Sequence, residues 1–279
     1  MIVAVSGDDP RVLVRLPDAL PAGPFAPASD LSLEKQLRGW VAEQTHLDLG
    51  HVEQLYTLGG RRRSALSIAY LAFVRESAPS AEAAWRSWYD FFPWEDWREG
   101  QPALVDPMLA KVEAWVAAAE GDERARRARR AKRCTGAVRG VWNTELVLER
   151  YELFWEIGLV AESPAARRKT YGEPLAGDHR RIVATALQRI RGALRYRPVV
   201  FELLPPAFTL LRLQRTVEAL AGVRLHKQNF RRLVAGARLV EPTRQTERDG
   251  PGRPAALYRF RPDVVAERTM LRLSITPAR

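Results

Sequence analysis

Polar side chains with hydrogen-bonding groups suited to nucleic acid lie close together in the C-terminal third of the chain. They are Lys227, Gln228, Asn229, Arg231 and Arg232. Gln and Asn can bind an adenine edge through two hydrogen bonds, and Arg can bind a guanine edge in the same way. Lys227, at the start of the segment, is better placed for a backbone phosphate. The segment therefore predicts contacts with duplex DNA, with Asn229 at the margin between base and phosphate contacts.

Apolar spacing places this segment on the second helix of a helix-turn-helix unit. The first helix should begin after Thr209, which can cap it and is also a candidate DNA contact, and end at the short turn Ala221-Gly222. Its apolar face consists of Leu210, Leu213, Val217 and Leu220. The second helix should run from about His226 to Ala235. Its apolar face consists of Phe230, Leu233, Val234 and Ala237. Helical periodicity then turns Gln228, Arg231 and Arg232 to the opposite face, toward a major groove.

A β-hairpin, or wing, is expected after the second helix. Leu239-Val240 and Ala256–Phe260 have the pattern of two strands, and the tip between them contains Arg244, Arg248 and Arg253. Arg253 lies between a glycine and a proline and could enter a narrow minor groove. Residues 198–279 are therefore interpreted as a winged helix-turn-helix domain, with a winged helix used only for protein contact as the alternative.

Basic charge is concentrated in the same region. The 279 residues carry a formal net charge of +11, but residues 179–279 alone hold 21 Lys plus Arg and 7 Asp plus Glu, a balance of +14. Such a module suits attraction to a phosphate backbone. No apolar run reaches the roughly 18 to 20 residues of a membrane span, and no signal peptide is recognised, so a cytoplasmic protein is expected. Cys134 is the only cysteine, which excludes an internal disulfide and a thiolate zinc cluster.

The N-terminal half reads as strand, strand, helix, strand, strand. The strands are expected at Ile2–Ser6, Arg11–Leu16, His51–Thr57 and Ser64–Val74, and the helix should contain Leu33, Leu37, Trp40 and Val41 and end near His46. Further helices are expected at Val138–Gly158 and Ile182–Leu194, with a domain boundary near Arg197. The Arg-rich run Gly121–Arg133 predicts a solvated helix, with phosphate contact as a minority alternative.

The segment Trp85–Arg98 is too aromatic for a solvated loop. A core or a subunit interface is the simpler interpretation. Stacking on a base or a nucleotide ring, with Arg98 on a phosphate, is the alternative.

Several segments match a known family. Glu43–Leu47 and Val52–Thr57 resemble the end of a Nudix helix and the strand after it. Segments that resemble the second half of the family are Leu175–His179, Phe201–Pro205, Phe208–Leu210 and Asn229–Arg232. The chain thus resembles, over nearly its whole length, the NrtR and NadQ group of Nudix-like regulators of NAD metabolism. Phe91–Trp97 looks like NadQ rather than the shorter NrtR type.

The catalytic motif of that fold is not present in full. A Nudix hydrolase carries Arg-Glu-x-x-Glu-Glu-x-Gly, whose glutamates bind the divalent ions that activate water. Aligned on Thr45, this chain has at those positions Gly39, Trp40, Glu43, Gln44 and His46. A shift by one residue puts Arg38 in the arginine position but leaves Gly39 and Ala42 at two glutamate positions. One carboxylate cannot hold a catalytic metal cluster, so we predict no catalytic residue, no metal and no pyrophosphatase activity, with Glu43 a surface or capping carboxylate.

The resemblance implies a homodimeric repressor of NAD-biosynthesis genes that binds operator DNA and, as effector, an adenine nucleotide such as ATP. Candidate nucleotide-binding residues by chemistry are Arg61, Arg62, Arg63, Arg75, Trp94 and Trp97. The expected fold class is α+β: a Nudix-like α/β sandwich with a helical insertion over residues 1–197, then the winged helix-turn-helix. Two rival functions are an ADP-ribose or other nucleotide-diphosphate hydrolase with a DNA-binding appendage, and a noncatalytic interaction or RNA-binding protein.

Overall fold

The structure is a computed structural model that describes residues 1–25, 31–50, 52–59, 66–136, 142–166, 169–194, 199–248 and 254–262. Its strands form a five-stranded sheet in the N-terminal half and a three-stranded sheet at the C-terminal end. Helices occupy most of the chain between the two sheets, so the expected α+β class is confirmed. No helix within these ranges is long and apolar enough to cross a bilayer.

The N-terminal sheet contains β1 (Ile2–Ser6), β2 (Asp9–Arg15), β3 (Val52–Gly59), β4 (Leu66–Phe73) and β5 (Ala83–Ser87). The strands lie in the order β3-β4-β1-β2-β5, and β1 and β4 are parallel while the other neighbours are antiparallel. The first four strands confirm the sequence prediction. The fifth strand is absent from that prediction because two alanines and a serine give it a weak strand signal. Pairing along β2 supplies what the local sequence lacks.

Helix α1 (Leu33–Thr45) lies between the two pairs of strands in the chain, as expected. The Ser32 hydroxyl caps it by accepting a hydrogen bond from the Lys35 amide at 3.3 Å, and His46 ends it in a left-handed conformation. Val41 packs from α1 into a small core with Ile2 and Leu13 of the sheet. The helix that resembles the Nudix helix is therefore held on the sheet by its apolar face.

Among the described residues, the sheet is followed by the α-helices α2 (Trp88–Phe91), α3 (Val105–Ala117), α4 (Gly121–Thr135), α5 (Val147–Glu156) and α6 (His179–Ala193). Helix α6 confirms the prediction at Ile182–Leu194. The long helix predicted at Val138–Gly158 is wrong over residues 142–146, since α5 begins only at Val147. Residues 138–141 lie outside the described residues. Trp142 lies outside any helix and packs on Trp97, with ring centroids 4.9 Å apart. Tertiary packing of the indole thus overrides the helical pattern there.

The C-terminal region contains β6 (Phe208–Thr209), α7 (Leu210–Ala221), α8 (Lys227–Ala237), β7 (Val240–Glu247) and β8 (Ala255–Phe260). The three strands pair antiparallel in the order β6-β8-β7. Gly222 ends α7 with a positive φ of 73°, which makes the tight turn toward α8. The two helices and the hairpin confirm the predicted helix-turn-helix and wing. Strand β6 was not predicted, since two residues are too short to give a pattern.

One hydrophobic core continues through both halves of the chain. The same cluster of buried residues includes Val12 and Trp88 of the N-terminal half and Leu213, Val217 and Phe230 of the C-terminal half. The predicted boundary near Arg197 lies outside the described residues, and the division at 197 and 198 stays a prediction. The two halves are nevertheless packed against each other rather than joined only through a linker.

Candidate nucleic-acid interface and effector pocket

Helix α8 presents its polar side chains to solvent. Phe230 and Val234 are each only 5% exposed and anchor the inner face of the helix in the core. The predicted contact residues are all exposed: Lys227, Gln228, Asn229, Arg231 and Arg232. The Arg232 guanidinium donates a hydrogen bond to the Asn229 side chain at 3.3 Å. The structure therefore brings the predicted DNA-binding residues of α8 together on one accessible surface.

The turn before α8 is held by a buried polar pair. The Gln214 amide donates to the Glu218 carboxylate at 2.8 Å and to the Leu225 carbonyl at 3.0 Å. The Leu225 amide donates to the same carboxylate at 3.0 Å. Buried hydrogen bonds of this kind fix the backbone that they bridge. Sequence reasoning missed Gln214 and Glu218, although a polar pair four residues apart on an apolar helix face is a readable signal.

Thr209 has the capping role that its position predicted. Its hydroxyl accepts a hydrogen bond from the Arg212 amide at 3.1 Å at the start of α7. Arg212 itself is exposed beside it. A contact between Thr209 and DNA stays a prediction, and the role that the structure gives the hydroxyl is to cap the start of α7.

The wing extends from the same core. Phe260 of β8 stacks on Phe201 with ring centroids 4.2 Å apart, which anchors the base of the hairpin. Arg244 and Arg248 are exposed toward the tip. Arg253 lies outside the described residues, so its predicted minor-groove contact stays a prediction.

Two of the predicted nucleotide-stacking residues belong to the core. Trp94 is 0% exposed, with the edges of Phe92 and Phe154 against it, so the assignment of its ring to a nucleotide is wrong. Trp97 is partly buried, packs on Trp142 and donates its indole N–H to the Trp94 carbonyl at 3.0 Å. The simpler interpretation of this segment as core is confirmed, because its aromatic rings pack against one another inside the protein.

Arg75, a predicted phosphate contact, lies apart from that cluster. Arg75 follows the end of β4, is exposed and donates to the Leu204 carbonyl at 3.2 Å. It lines a shallow polar depression of about 350 Å³ that also contains His46, Asp48 and Glu202. Arg61, Arg62 and Arg63 lie outside the described residues. The structure therefore does not bring Arg75 together with Trp94 and Trp97.

A larger cavity of about 630 Å³ opens beside α1. Its walls come from α1, β4, the segment 20–25 and the start of α6. Aromatic lining residues are Phe25, Trp40 and Tyr70. Trp40 occupies the first glutamate position of the Nudix motif, and Phe25 and Leu66 on the rim are largely exposed. The sequence signal for this pocket was Trp40 itself, an aromatic residue where a hydrolase needs a carboxylate.

His179, at the start of α6, is an ionisable side chain that lines this cavity. Its Nδ1 accepts a hydrogen bond from the Leu20 amide at 3.0 Å, so the neutral ring carries its proton on Nε2. Burial lowers the pKa of His179 below its ordinary value of 6.5, and Asp18 and Asp178 act in the opposite direction. The ring is therefore a hydrogen-bond donor toward the cavity at neutral pH.

The remaining motif positions on α1 do not form a metal site. Glu43 is exposed, and the Gln44 side chain is engaged with both backbone groups of Ala22 at 3.2 and 2.8 Å. Within the described part of the chain, no group of three His, Cys, Asp or Glu residues could hold a metal ion.

Comparisons with known proteins agree with this architecture. Residues 200–260 match the family described as the NrtR DNA-binding winged helix domain. A curated relative from Acinetobacter baylyi, the ADPR responsive transcriptional repressor NtrR, is 41% identical over 86 residues, 31% of this chain and 34% of the relative. The match thus spans about a third of the relative's length.

Solved structures extend the similarity to the whole fold. Shewanella oneidensis NrtR complexed with a 27mer DNA superimposes with a TM-score of 0.55 at 22% identity, covering 95% of this chain and 93% of that one. A MutT/nudix family protein from Enterococcus faecalis gives a TM-score of 0.50 at 15% identity, covering 93% and 83%. The closer likeness to NadQ stays a prediction. Residues 200–260 thus match the NrtR winged helix domain, and they follow an N-terminal half with the Nudix-like fold.

Proposed function

We propose that the protein is a transcriptional repressor that binds operator DNA through α8 and is controlled by an adenine nucleotide. The observation that carries this proposal is the exposed polar face of α8, set on a buried Phe230 and Val234 within a winged helix domain of the NrtR family. Gln228, Arg231 and Arg232 contact base edges, Lys227 contacts a phosphate, and Asn229 orients Arg232.

The effector site of this proposal is the cavity beside α1. Its volume of about 630 Å³ lies within the range of small-molecule sites, and Trp40, Tyr70 and Phe25 offer aromatic surfaces to an adenine ring. Phosphates would meet Arg61, Arg62 and Arg63, which lie in the sequence between two lining residues, Thr57 and Leu66. The name of the Acinetobacter relative favours ADP-ribose as effector, whereas the resemblance to NadQ implies ATP.

The N-terminal half is proposed to bind the nucleotide without hydrolysing it. Trp40 and Gln44 stand where two metal-binding glutamates are needed, and Gln44 is engaged with Ala22. Incubation of the protein with ADP-ribose and Mg²⁺ should release no AMP. Metal-dependent release of AMP would favour the rival, a pyrophosphatase with a DNA-binding appendage.

The repressor is proposed to act as a homodimer on a palindromic operator of NAD-biosynthesis genes. A winged helix reads one half-site, and two copies related by a two-fold axis read two half-sites. Selection of duplexes from a random library with the full chain, followed by sequencing, tests this directly. Palindromic sequences that recur in promoters of NAD-biosynthesis genes are expected, whereas recovery without any sequence preference would favour a general nucleic-acid-binding protein.

Substitutions on α8 test the assignment of roles. Replacing Gln228 or Arg232 with alanine should weaken binding to the selected duplex by about 1–3 kcal/mol and relax base preference at one position. Lys227→Ala should weaken binding to every duplex and reduce the salt slope by about one. Fluorescence anisotropy on selected and scrambled duplexes measures both. An equal loss on both duplexes for all three variants would contradict the placement of α8 in the major groove.

A further inference from the structure

The C-terminal end of α7 is held by hydrogen bonds from the N-terminal half. Three backbone carbonyl oxygens in the last turn of the helix and at its C-cap accept these hydrogen bonds. The pairs are Tyr89 Oη to Ala219 at 2.7 Å, Arg191 Nε to Leu220 at 3.1 Å, and the Trp97 amide to Gly222 at 2.7 Å. Carbonyls at the end of a helix lack partners within the helix and carry the negative end of its dipole. Hydrogen-bond donors from the N-terminal half therefore supply the partners that the last carbonyl groups of α7 lack within the helix.

Arg191 is fixed at this junction by a buried carboxylate. It is 2% exposed, and its Nη1 lies 2.6 Å from Oε2 of Glu95, which is 0% exposed. Its Nη2 donates to the Glu95 carbonyl at 3.1 Å, and Nη1 also donates to the Thr144 carbonyl at 3.0 Å. Arg150 binds the same carboxylate at 2.7 Å. Through this side chain, the helix that carries Arg191 is tied both to Glu95 and to the end of α7.

That helix is α6, and its other end borders the cavity. Asp178, His179 and Ile182 line the cavity, while Arg191 lies about 18 Å further along the helix at 1.5 Å per residue. The buried face between the two ends consists of Val183, Ala184, Ala186, Leu187 and Ile190. A helix packed along its whole length shifts as a unit, since its side chains cannot rearrange one at a time.

We propose that α6 links the cavity to the recognition helix, with Arg191 as the positioning residue that transmits its displacement to α7. This inference rests on the proposed function of the cavity. A ligand that contacts His179 favours one placement of α6, and the hydrogen bond from Arg191 to Leu220 moves the end of α7 with it. Only a short turn separates Gly222 from Lys227, so α8 follows. The ligand can shift α6 only because it binds more tightly to the protein with α6 in one placement than in the other.

The test measures the effect of ADP-ribose, and separately of ATP, on the affinity of the full chain for a selected duplex. Fluorescence anisotropy gives the ratio of Kd with and without nucleotide, and calorimetry without DNA gives the nucleotide affinity. Arg191→Lys keeps the charge but cannot reach Glu95, Thr144 and Leu220 together. Tyr89→Phe removes only a hydroxyl, which binds the Ala219 carbonyl and also contacts the Arg191 guanidinium. This variant replaces Arg191→Lys in the test if Arg191→Lys does not fold. Arg181→Lys is the control, because Arg181 lies on the same helix but pairs with Glu152 at 2.6 Å.

For the parent protein, we expect one nucleotide to change the Kd for the duplex by a factor of about 5 to 150. Arg191→Lys should bring the ratio to about 2 or less, and Tyr89→Phe should reduce it by at least half, with nucleotide affinity retained. Arg181→Lys should leave the ratio unchanged. Undiminished ratios in Arg191→Lys and Tyr89→Phe would overturn the link through α6 while leaving the proposed function intact. A parent protein whose DNA affinity responds to neither nucleotide would overturn the proposed function and this inference with it.

Discussion

Replacing Glu95 with alanine should lower the free energy of unfolding by about 3–5 kcal/mol. The carboxylate is completely buried and binds Arg150 at 2.7 and 3.1 Å and Arg191 at 2.6 Å. Its removal leaves two guanidinium groups inside the protein without a counter-charge. Because a typical domain is stable by only about 5–15 kcal/mol, the loss should move the unfolding midpoint strongly.

Urea denaturation followed by circular dichroism measures this change, and Glu123→Ala is the matched control. Glu123 also binds two arginines, Arg126 at 2.7 Å and Arg127 at 2.9 Å, but its side chain is 44% exposed on α4. Water screens such surface pairs, so the midpoint of the control should stay near that of the parent protein. Equal shifts for the two variants would refute the argument that burial gives the Glu95 cluster its importance.

Two further predictions concern the junction and the cavity. Gly222→Ala should destabilise the protein and weaken duplex binding, because φ at this position is 73° and an added Cβ would lie 2.4 Å from the Glu95 carbonyl oxygen. In Gly236→Ala on α8, the added Cβ meets no atom within 4 Å, so this control should stabilise the protein by about 0.5–1 kcal/mol. Thermal melting measures the stability of both variants, and fluorescence anisotropy measures their duplex binding. Equal melting temperatures and equal duplex affinities for the two variants would contradict the prediction. Burial lowers the pKa of His179, so the unfolded chain binds more protons and stability should fall as pH drops below 6.5. His179→Gln should reduce that slope below about pH 6.5 in urea titrations, and an unchanged slope would exclude His179 as its source.

The exposed polar face of α8 could be predicted from sequence because it lies on one helix. Phe230 and Val234 recur at helical spacing, and that alone turns Gln228 and Arg232 outward. The capped start of α7 at Thr209 and its glycine end were predictable for the same local reason.

The cavity could not be predicted in this way, since its walls come from separate segments between Met1 and Ile182. Trp94 shows the corresponding limit for single residues. An aromatic side chain gives the same signal whether it stacks on a ligand or packs against Phe154, and only the fold distinguishes the two. The contact between Arg191 and Glu95 could likewise not be predicted from the sequence, because it joins residues 96 positions apart.

The most direct test of the account is the binding of the full chain to a selected duplex and to its scrambled counterpart, at fixed salt, with and without ADP-ribose and ATP. We expect the selected duplex to bind at least about 10³-fold more tightly than the scrambled one. One nucleotide should change that affinity by about 5- to 150-fold. Equal affinity for both duplexes, unmoved by either nucleotide, would contradict the claim that α8 reads bases under the control of the N-terminal half.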